Sequence, residues 1–304
     1  MSTITRRKFL QTSAFTVAGA ALASKSLFDT PIKKTITGVQ LYSIRDDMKK
    51  DPLGSLKKLA EAGYRHVEHA NYVDRKFYGY NASEFKKILN DLGMKMPSGH
   101  TVMNSKHWDE SKKDFTDPWK YTVEDAALLE QQFVISPWLE DGWRKDMDSL
   151  KRSMEIFNKS GELCKKAGMK FGYHNHHFEF TEKLGDQTLY DHILQLTDPQ
   201  LVMQQLDIGN MYYGGGRALE FIKKYPGRFP SLHVKDEIAV AGSEHGFESA
   251  VLGTGIIEVK KVLEEAVKSG GSIHLIVEQE SYQGKTPFDS VKQNLQIMKQ
   301  WGYS

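Results

Sequence analysis

The chain of 304 residues carries a single cysteine, Cys164, so it can neither close a disulfide within itself nor build a thiolate metal site. Any metal it binds falls to His, Asp and Glu. Net charge is also scarce. Lys and Arg number 41 against 39 Asp and Glu, a formal +2, and no long basic run is present, so the electrostatic footprint of a duplex nucleic-acid binder is missing. No apolar run after residue 30 approaches the ~20 residues of a membrane span. With 39% hydrophobic and 26% charged residues and only 9 prolines, the composition is globular and excludes disorder, collagen and coiled coil. The partner to expect is a small molecule, with neither nucleic acid nor membrane.

What is present begins with an N-terminal segment that does not read as part of a fold. Arg6-Arg7-Lys8 precedes a mildly apolar stretch from Ala14 to Leu22, and Ala21-Leu22-Ala23 offers a small-residue cleavage site. The order resembles a twin-arginine export signal over residues 1–30, signal and linker together, and implies a periplasmic mature protein. A lipobox cysteine is absent, which argues against a lipid tether.

From residue 35 onward short apolar runs alternate with longer amphipathic ones about every 30 residues, the βαβα order of a parallel sheet. Strands are expected at 37–44, 65–68, 94–100, 133–137, 170–176, 201–207, 231–234 and 273–278. Helices are expected at 53–62, 82–92, 121–130, 148–167, 187–196, 218–225, 257–269 and 288–300. Eight pairs without a linker predict one closed (β/α)8 barrel, an α/β TIM barrel over residues 31–304. A doubly wound sheet is the competing architecture, but its dinucleotide fingerprint is missing: Gly253-Thr254-Gly255 lacks the third glycine and follows no strand.

In such a barrel the strand ends carry the site. A lone polar residue there is ordinarily structural, yet four consecutive strands end in one: His174-Asn175-His176, Leu206-Asp207, His233-Val234-Lys235 and Glu278-Gln279-Glu280. Period two puts His174 and His176 on one face and Glu278 and Glu280 on one face, so one member of each pair can converge with Asp207 and His233. Two imidazoles and two carboxylates suit one divalent cation, Mn²⁺, Zn²⁺, Fe²⁺, Co²⁺ or Mg²⁺. His100, ending strand three, and His69, just after strand two, are candidates for substrate hydroxyls at the rim, and Lys235 for neutralising a developing anion. Glu179 and Glu280 are second candidates for acid/base work. Trp108, Trp119, Trp138 and Trp143 gather around strand four, where they suit stacking on an apolar face of a substrate, core packing, or a contact in a homo-oligomer.

At these residues the chain resembles the xylose isomerase-like TIM barrel superfamily, whose members are called sugar phosphate isomerases or epimerases. Residues 35–302 carry the resemblance, through Gly38-Val39-Gln40-Leu41-Tyr42-Ser43, Gly63-Tyr64-Arg65-His66-Val67-Glu68, the run from Tyr173 to Phe180, Asp207-Ile208-Gly209-Asn210, His233-Val234-Lys235-Asp236, Leu252-Gly253-Thr254-Gly255 and Val277-Glu278-Gln279-Glu280, in that order. It implies one divalent metal on His174, Asp207, His233 and Glu278, with His176 the alternative to His174. Many members have glutamate where His174 stands, paired with the strand-eight carboxylate across the sugar.

That departure bears on the chemistry, because a proton beside a carbonyl needs a base within reach and the resulting anion needs a cation. The resemblance implies a metal-dependent sugar isomerase or epimerase. Losing one carboxylate of a symmetric pair favours one-face isomerisation, or β-elimination from a 3-keto-glycoside, with His176, Glu278, Glu280 and Lys235 as the catalytic candidates and His100, His69, Glu179 and Trp138 as substrate contacts. Export and the lack of an arginine cluster point to a sugar without phosphate. The other classes are a three-metal abasic-site endonuclease, which near-zero charge disfavours, and a non-catalytic sugar-binding protein.

Overall fold

The computed structural model describes residues 35–243 and 245–304. The export signal expected over 1–30 lies outside the described residues.

Eight apolar runs form the strands β1 (Ile36–Gln40), β2 (His66–His69), β3 (Lys95–His100), β4 (Phe133–Ser136), β5 (Lys170–His174), β6 (Val202–Asp207), β7 (Ser231–Val234) and β8 (His274–Val277). Each pairs in parallel with its neighbours in sequence, and β1 pairs with β8, so the sheet closes into the expected barrel. The principal helices are α1 (Pro52–Ala62), α2 (Ala82–Asp91), α3 (Asp117–Leu128), α4 (Met147–Lys166), α5 (Leu189–Leu196), α6 (Ala218–Lys224), α7 (Val259–Glu265) and α8 (Pro287–Gln300). Among the described residues no helix is long and apolar enough to cross a membrane.

Local chemistry sets the boundaries. Asp51 accepts a hydrogen bond from Gly54 N at the start of α1, and Gly63, at φ 106°, ends it in the left-handed region that glycine adopts without cost. Asn81 and Glu84 cap α2 reciprocally. Pro118 sits in the first turn of α3, so that helix starts at Asp117 rather than at 121.

Two strands are shorter than alternation predicts, and both differences shape the site. β1 stops at Gln40, whose side chain accepts from Tyr42 N and turns residues 41–44 into a 3₁₀ turn. β5 stops at His174 because the Asn175 side chain bonds both the backbone N and O of Asp207, at 3.0 and 3.1 Å, while His176 N turns to the Glu179 carboxylate at 2.9 Å. The pleat that was to carry His176 inward ends two residues before it.

The α4 helix packs on the chain entering β6 with no space to spare: a Cβ on Gly161 would lie 2.6 Å from Leu201 Cβ and 2.7 Å from its carbonyl oxygen. Backbone cannot rotate away as a side chain can. Gly161→Ala should therefore lose about 1–3 kcal/mol by overpacking, read as a lower Tm in thermal melts; an unchanged Tm contradicts the close approach.

Candidate active site

Barrel strands point alternate side chains inward, and at the C-terminal end the inward set is polar. Glu68 on β2, Ser98 and His100 on β3, His174 on β5, Gln205 and Asp207 on β6, Ser231 and His233 on β7 and Glu278 just past β8 meet there, all buried except the half-buried His100. Register puts Gln205 beside Ser231 and Asp207 beside His233.

At the bottom of the set lies Glu68, with no exposed surface. Its carboxylate accepts from Gln40 Nε2 at 2.9 Å, Ser98 Oγ at 2.5 Å, Gln205 Nε2 at 2.9 Å and His233 Nε2 at 2.6 Å. Burial by itself would raise its pKa; the imidazoles of His100 and His233 and the bonds from His233 and Ser98 outweigh that and hold it at about 2. An anion here fixes the tautomer above it, since His233 must present N–H at Nε2, which turns Nδ1 toward Glu278 Oε2 at 3.1 Å and Asp207 Oδ2 at 3.7 Å. Gln205 extends the control. Its amide nitrogen donates to Glu68 and to Ser231 Oγ at 3.0 Å, so its oxygen accepts from His100 Nε2 at 2.6 Å and His174 Nδ1 at 3.0 Å. The second nitrogen of each ring is left with a lone pair.

Above Glu68 sits a charge cluster. Lys235, 1% exposed, places Nζ 2.6 Å from Glu280 Oε1, 2.8 Å from Glu278 Oε2 and 3.2 Å from Asp207 Oδ2. Burial pulls its pKa down, but the Asp207, Glu278 and Glu280 carboxylates more than restore it, so it stays a cation. The His233 imidazole is likewise raised, because Glu278 and Glu68 outweigh burial, and Glu278 is held well below the carboxylate range against its burial by Lys235 and His233. Burial and neighbouring imidazoles keep His174 neutral, and burial lowers His100. At formal charges Glu68, Asp207, Glu278 and Glu280 thus face Lys235 and at most one protonated His233, which leaves at least two negative charges unmatched.

Such a site fits a divalent cation. Donor atoms of Asp207, His233 and Glu278 lie within 4.8 Å of one another, as do those of His100, His174 and His233. Asp207 Oδ1 caps the turn at Ile208–Tyr213 through Asn210 N at 2.7 Å, while Oδ2 is buried without a well-aligned hydrogen bond. A buried carboxylate oxygen in that condition suits a metal ligand.

The cluster opens into a cavity of about 970 Å³ lined by His100, Trp138, His174, His176, Glu278 and Glu280 among others. His176 reaches it through the turn after β5; burial lowers its pKa to about 4, and its buried Nδ1 has no hydrogen-bond partner. Trp138, 40% exposed, meets the His176 ring edge-on at 5.4 Å. The other tryptophans are elsewhere: Trp119 is buried in the core, with Trp108 and Trp143 packed against it.

Two expected contacts lie outside the cavity lining. His69 follows Glu68 on β2, so it faces outward, edge-on to Phe77 at 4.8 Å and against Gly99. Glu179 folds back into the wall, where it accepts from the Tyr173 hydroxyl and from His176 N. Glu68 and Gln205 were not among the expected site residues, although period two along β2 and β6 places both on the inward face.

Comparison with known proteins gives a family and a fold. Residues 56–301 match the family described as xylose isomerase-like TIM barrel. The chain is 27% identical over 195 residues to an inosose dehydratase of Clostridium perfringens (strain 13 / Type A), and 33% identical over 195 residues to one of Clostridium tetani. Each match takes in 60% of this chain and 62% of the relative, so the chain spans about six-tenths of the length of these relatives. A solved sugar phosphate isomerase/epimerase from Parabacteroides distasonis is 26% identical with a TM-score of 0.72, covering 87% of this chain and 98% of the other. An L-ribulose 3-epimerase, 14% identical with a TM-score of 0.64 over 88% of this chain and 94% of its own, shares the fold.

Glu179 makes a pH prediction. Burial raises its carboxyl to about 7 despite the bonds from Tyr173 and His176 N, so the folded chain holds this proton more tightly than the unfolded one. The contribution to stability is complete below about pH 4 and is lost as pH rises through about 7. Glu179→Gln should remove that loss, on the order of 2–3 kcal/mol between pH 5 and 8, so its Tm relative to the parent should climb with pH. A difference in Tm that does not change with pH contradicts a neutral buried acid.

Proposed function

Because the chain belongs to the xylose isomerase-like TIM barrel family, we propose that it is a divalent-metal-dependent enzyme that takes a proton from the carbon beside the carbonyl of a non-phosphorylated keto-sugar and then expels a β-oxygen substituent. Asp207 Oδ2, His233 Nδ1 and Glu278 Oε2, with His174 Nε2 as fourth donor, would hold the cation. A divalent cation there supplies polarisation of the carbonyl and countercharge to the anion that forms when the adjacent C–H is ionised.

The observation that carries the reading is the asymmetry of the acid/base groups. Two-face epimerisation needs a second carboxylate on the β5 side, and that position holds His174, whose Nδ1 is committed to Gln205. On the cavity wall stands His176, a neutral imidazole with an unpartnered nitrogen. One base suits a syn-elimination. His176 takes the proton, the C–H electron pair becomes the new C=C bond, the β C–O bond breaks, and the imidazolium returns the proton to the departing oxygen. Lys235, buried behind the cavity lining, keeps an ammonium beside Glu278 and Glu280, where its positive charge offsets theirs.

The inosose dehydratases among the relatives support an elimination by name. The Parabacteroides structure supports a second reading, one-face isomerisation with the same base. Absence of phosphate has its own support: among the described residues the sole arginine lining the cavity, Arg75, is already held by Asp125 and Glu124. Export by the twin-arginine route belongs to the same proposal, supported by Arg6-Arg7 and Ala21-Leu22-Ala23. Replacing Arg6-Arg7 by Lys-Lys should abolish periplasmic recovery; equal recovery of variant and parent contradicts it.

Turnover of a panel of keto-sugars and 3-keto-glycosides in D2O by the metal-loaded protein tests the reaction. The expected result is release of the β-substituent and a sugar product that has lost the hydrogen beside the carbonyl to the new C=C bond, with no deuterium placed on that carbon. His176→Ala should lose ~10²–10⁴-fold in kcat while keeping its metal, and Glu278→Gln should lose both metal and turnover. Inversion of a stereocentre without release of any substituent contradicts the elimination; transfer of hydrogen between neighbouring carbons without release selects isomerisation.

A further inference from the structure

Exposed apolar side chains scattered singly over a surface need no explanation. Here they are not scattered. Among the described residues seven large hydrophobic side chains are exposed, and five of them, Tyr42, Val73, Val102, Tyr121 and Trp138, line the one cavity above the cluster. They come from five separate places: the segments after β1, β2, β3 and β4, and the first turns of α3. Leu128 and Ile256, the other two, lie away from it.

The outer wall is built to stay in place. Asp125, buried on α3, accepts from Tyr72 Oη at 2.7 Å and from Arg75 Nη2 and Nε at 2.7 and 3.0 Å, which ties the loop after β2 to that helix. The Arg75 guanidinium covers one face of the Tyr121 ring at 4.2 Å. Asp74, Arg75 and Tyr78 hold left-handed backbone at φ 48°, 61° and 50°, a cost that side chains other than glycine bear only where the surroundings enforce it. Volume agrees. About 970 Å³ lies at the upper end of the ~300–1,000 Å³ typical of pockets for drug-sized ligands, well beyond the need of one sugar ring seated on the His/Asp/Glu floor.

We propose that this outer chamber is a second carbohydrate subsite and that the substrate carries at least two rings, the distal one seated between Tyr121, Val73 and Val102. The inference rests on the reading of the floor as a sugar site. Carbohydrate rather than a lipid-like group follows from the lining, in which rings and methyl groups alternate with Asn71, Asp74 and Thr101. A pyranose offers both surfaces at once, an apolar C–H face for aromatic rings and hydroxyls at its edge for hydrogen bonds. The distal ring is thus the β-oxygen substituent that the proposed elimination would release.

Calorimetric titration of the metal-loaded full chain with D-glucose and with the disaccharides cellobiose, maltose and trehalose, none of which needs to react, tests the subsite. The best disaccharide should bind at least tenfold more tightly than glucose, about 1.4 kcal/mol. Tyr121→Ala or Val73→Ser should cut that advantage below about threefold with glucose affinity unchanged, while Leu128→Ala leaves both affinities at parental values. Equal affinity for one ring and two, no saccharide binding at all, or loss of glucose and disaccharide affinity in parallel overturns the proposal. So does burial of this face in a dimer in solution with no saccharide advantage. Because the titration requires no turnover, a two-ring advantage without release of a β-substituent from any keto-sugar defeats only the reaction, and release of the substituent without the advantage defeats only the subsite.

Discussion

A carboxylate with no exposed surface stays ionised only if donors surround it, and Glu68 is in that position at the centre of the barrel. Four groups satisfy it, and one of them is His233. The demand of the buried anion for an N–H orients that ring, presents its other nitrogen to Asp207 and Glu278, and through Gln205 sets the hydrogen positions on His100 and His174. Removing one partner of a buried pair commonly costs about 3–5 kcal/mol, because the remaining charge is left uncompensated. The floor of the cavity therefore behaves as one unit, whose three imidazoles have their protons assigned from below.

The same constraint explains the position of Lys235. With Asp207 and Glu278 buried and Glu280 converging on them at the cavity floor, the carboxylates call for a cation, and the ammonium reaches all three. Two of those carboxylates are also the acidic members of the proposed metal set. A metal on that set would share its partners with the lysine, and the excess of negative charge would let both be held together with Glu280 on the lysine.

Much of this was legible in the sequence because the informative residues interrupt apolar runs. His233, Asp207 and Glu278 lie at or just past the ends of short, largely apolar strands, and the barrel order followed from the alternation of those strands with amphipathic helices such as Ala82–Asp91. Alternation misled where the strands stopped early. His174 is inward by the pleat, but His176 arrives through a turn made by Asn175 and Glu179, so its place is a matter of side-chain bonding rather than of period two. The same turn drew Glu179 into the wall. His69 shows the converse: period two counted from Glu68 would have turned it outward. Glu68 and Gln205 escaped notice as functional residues because they act through their neighbours, which no spacing rule encodes. The gathering of Tyr42, Val73, Val102, Tyr121 and Trp138 depends on the three-dimensional convergence of loops far apart in the chain and had no local signal at all.

The central claim is that the Glu68-oriented floor holds one divalent cation between Asp207, His233 and Glu278. Crystals of the protein grown with Mn²⁺, with anomalous scattering recorded at the manganese edge, test it directly. The account predicts a single full-occupancy peak within about 2.0–2.3 Å of His233 Nδ1 and one oxygen each of Asp207 and Glu278, with His233 Nε2 still on Glu68 and Lys235 still on Glu280. A peak elsewhere in the barrel, or none while Lys235 continues to bridge Asp207 and Glu278, would contradict it.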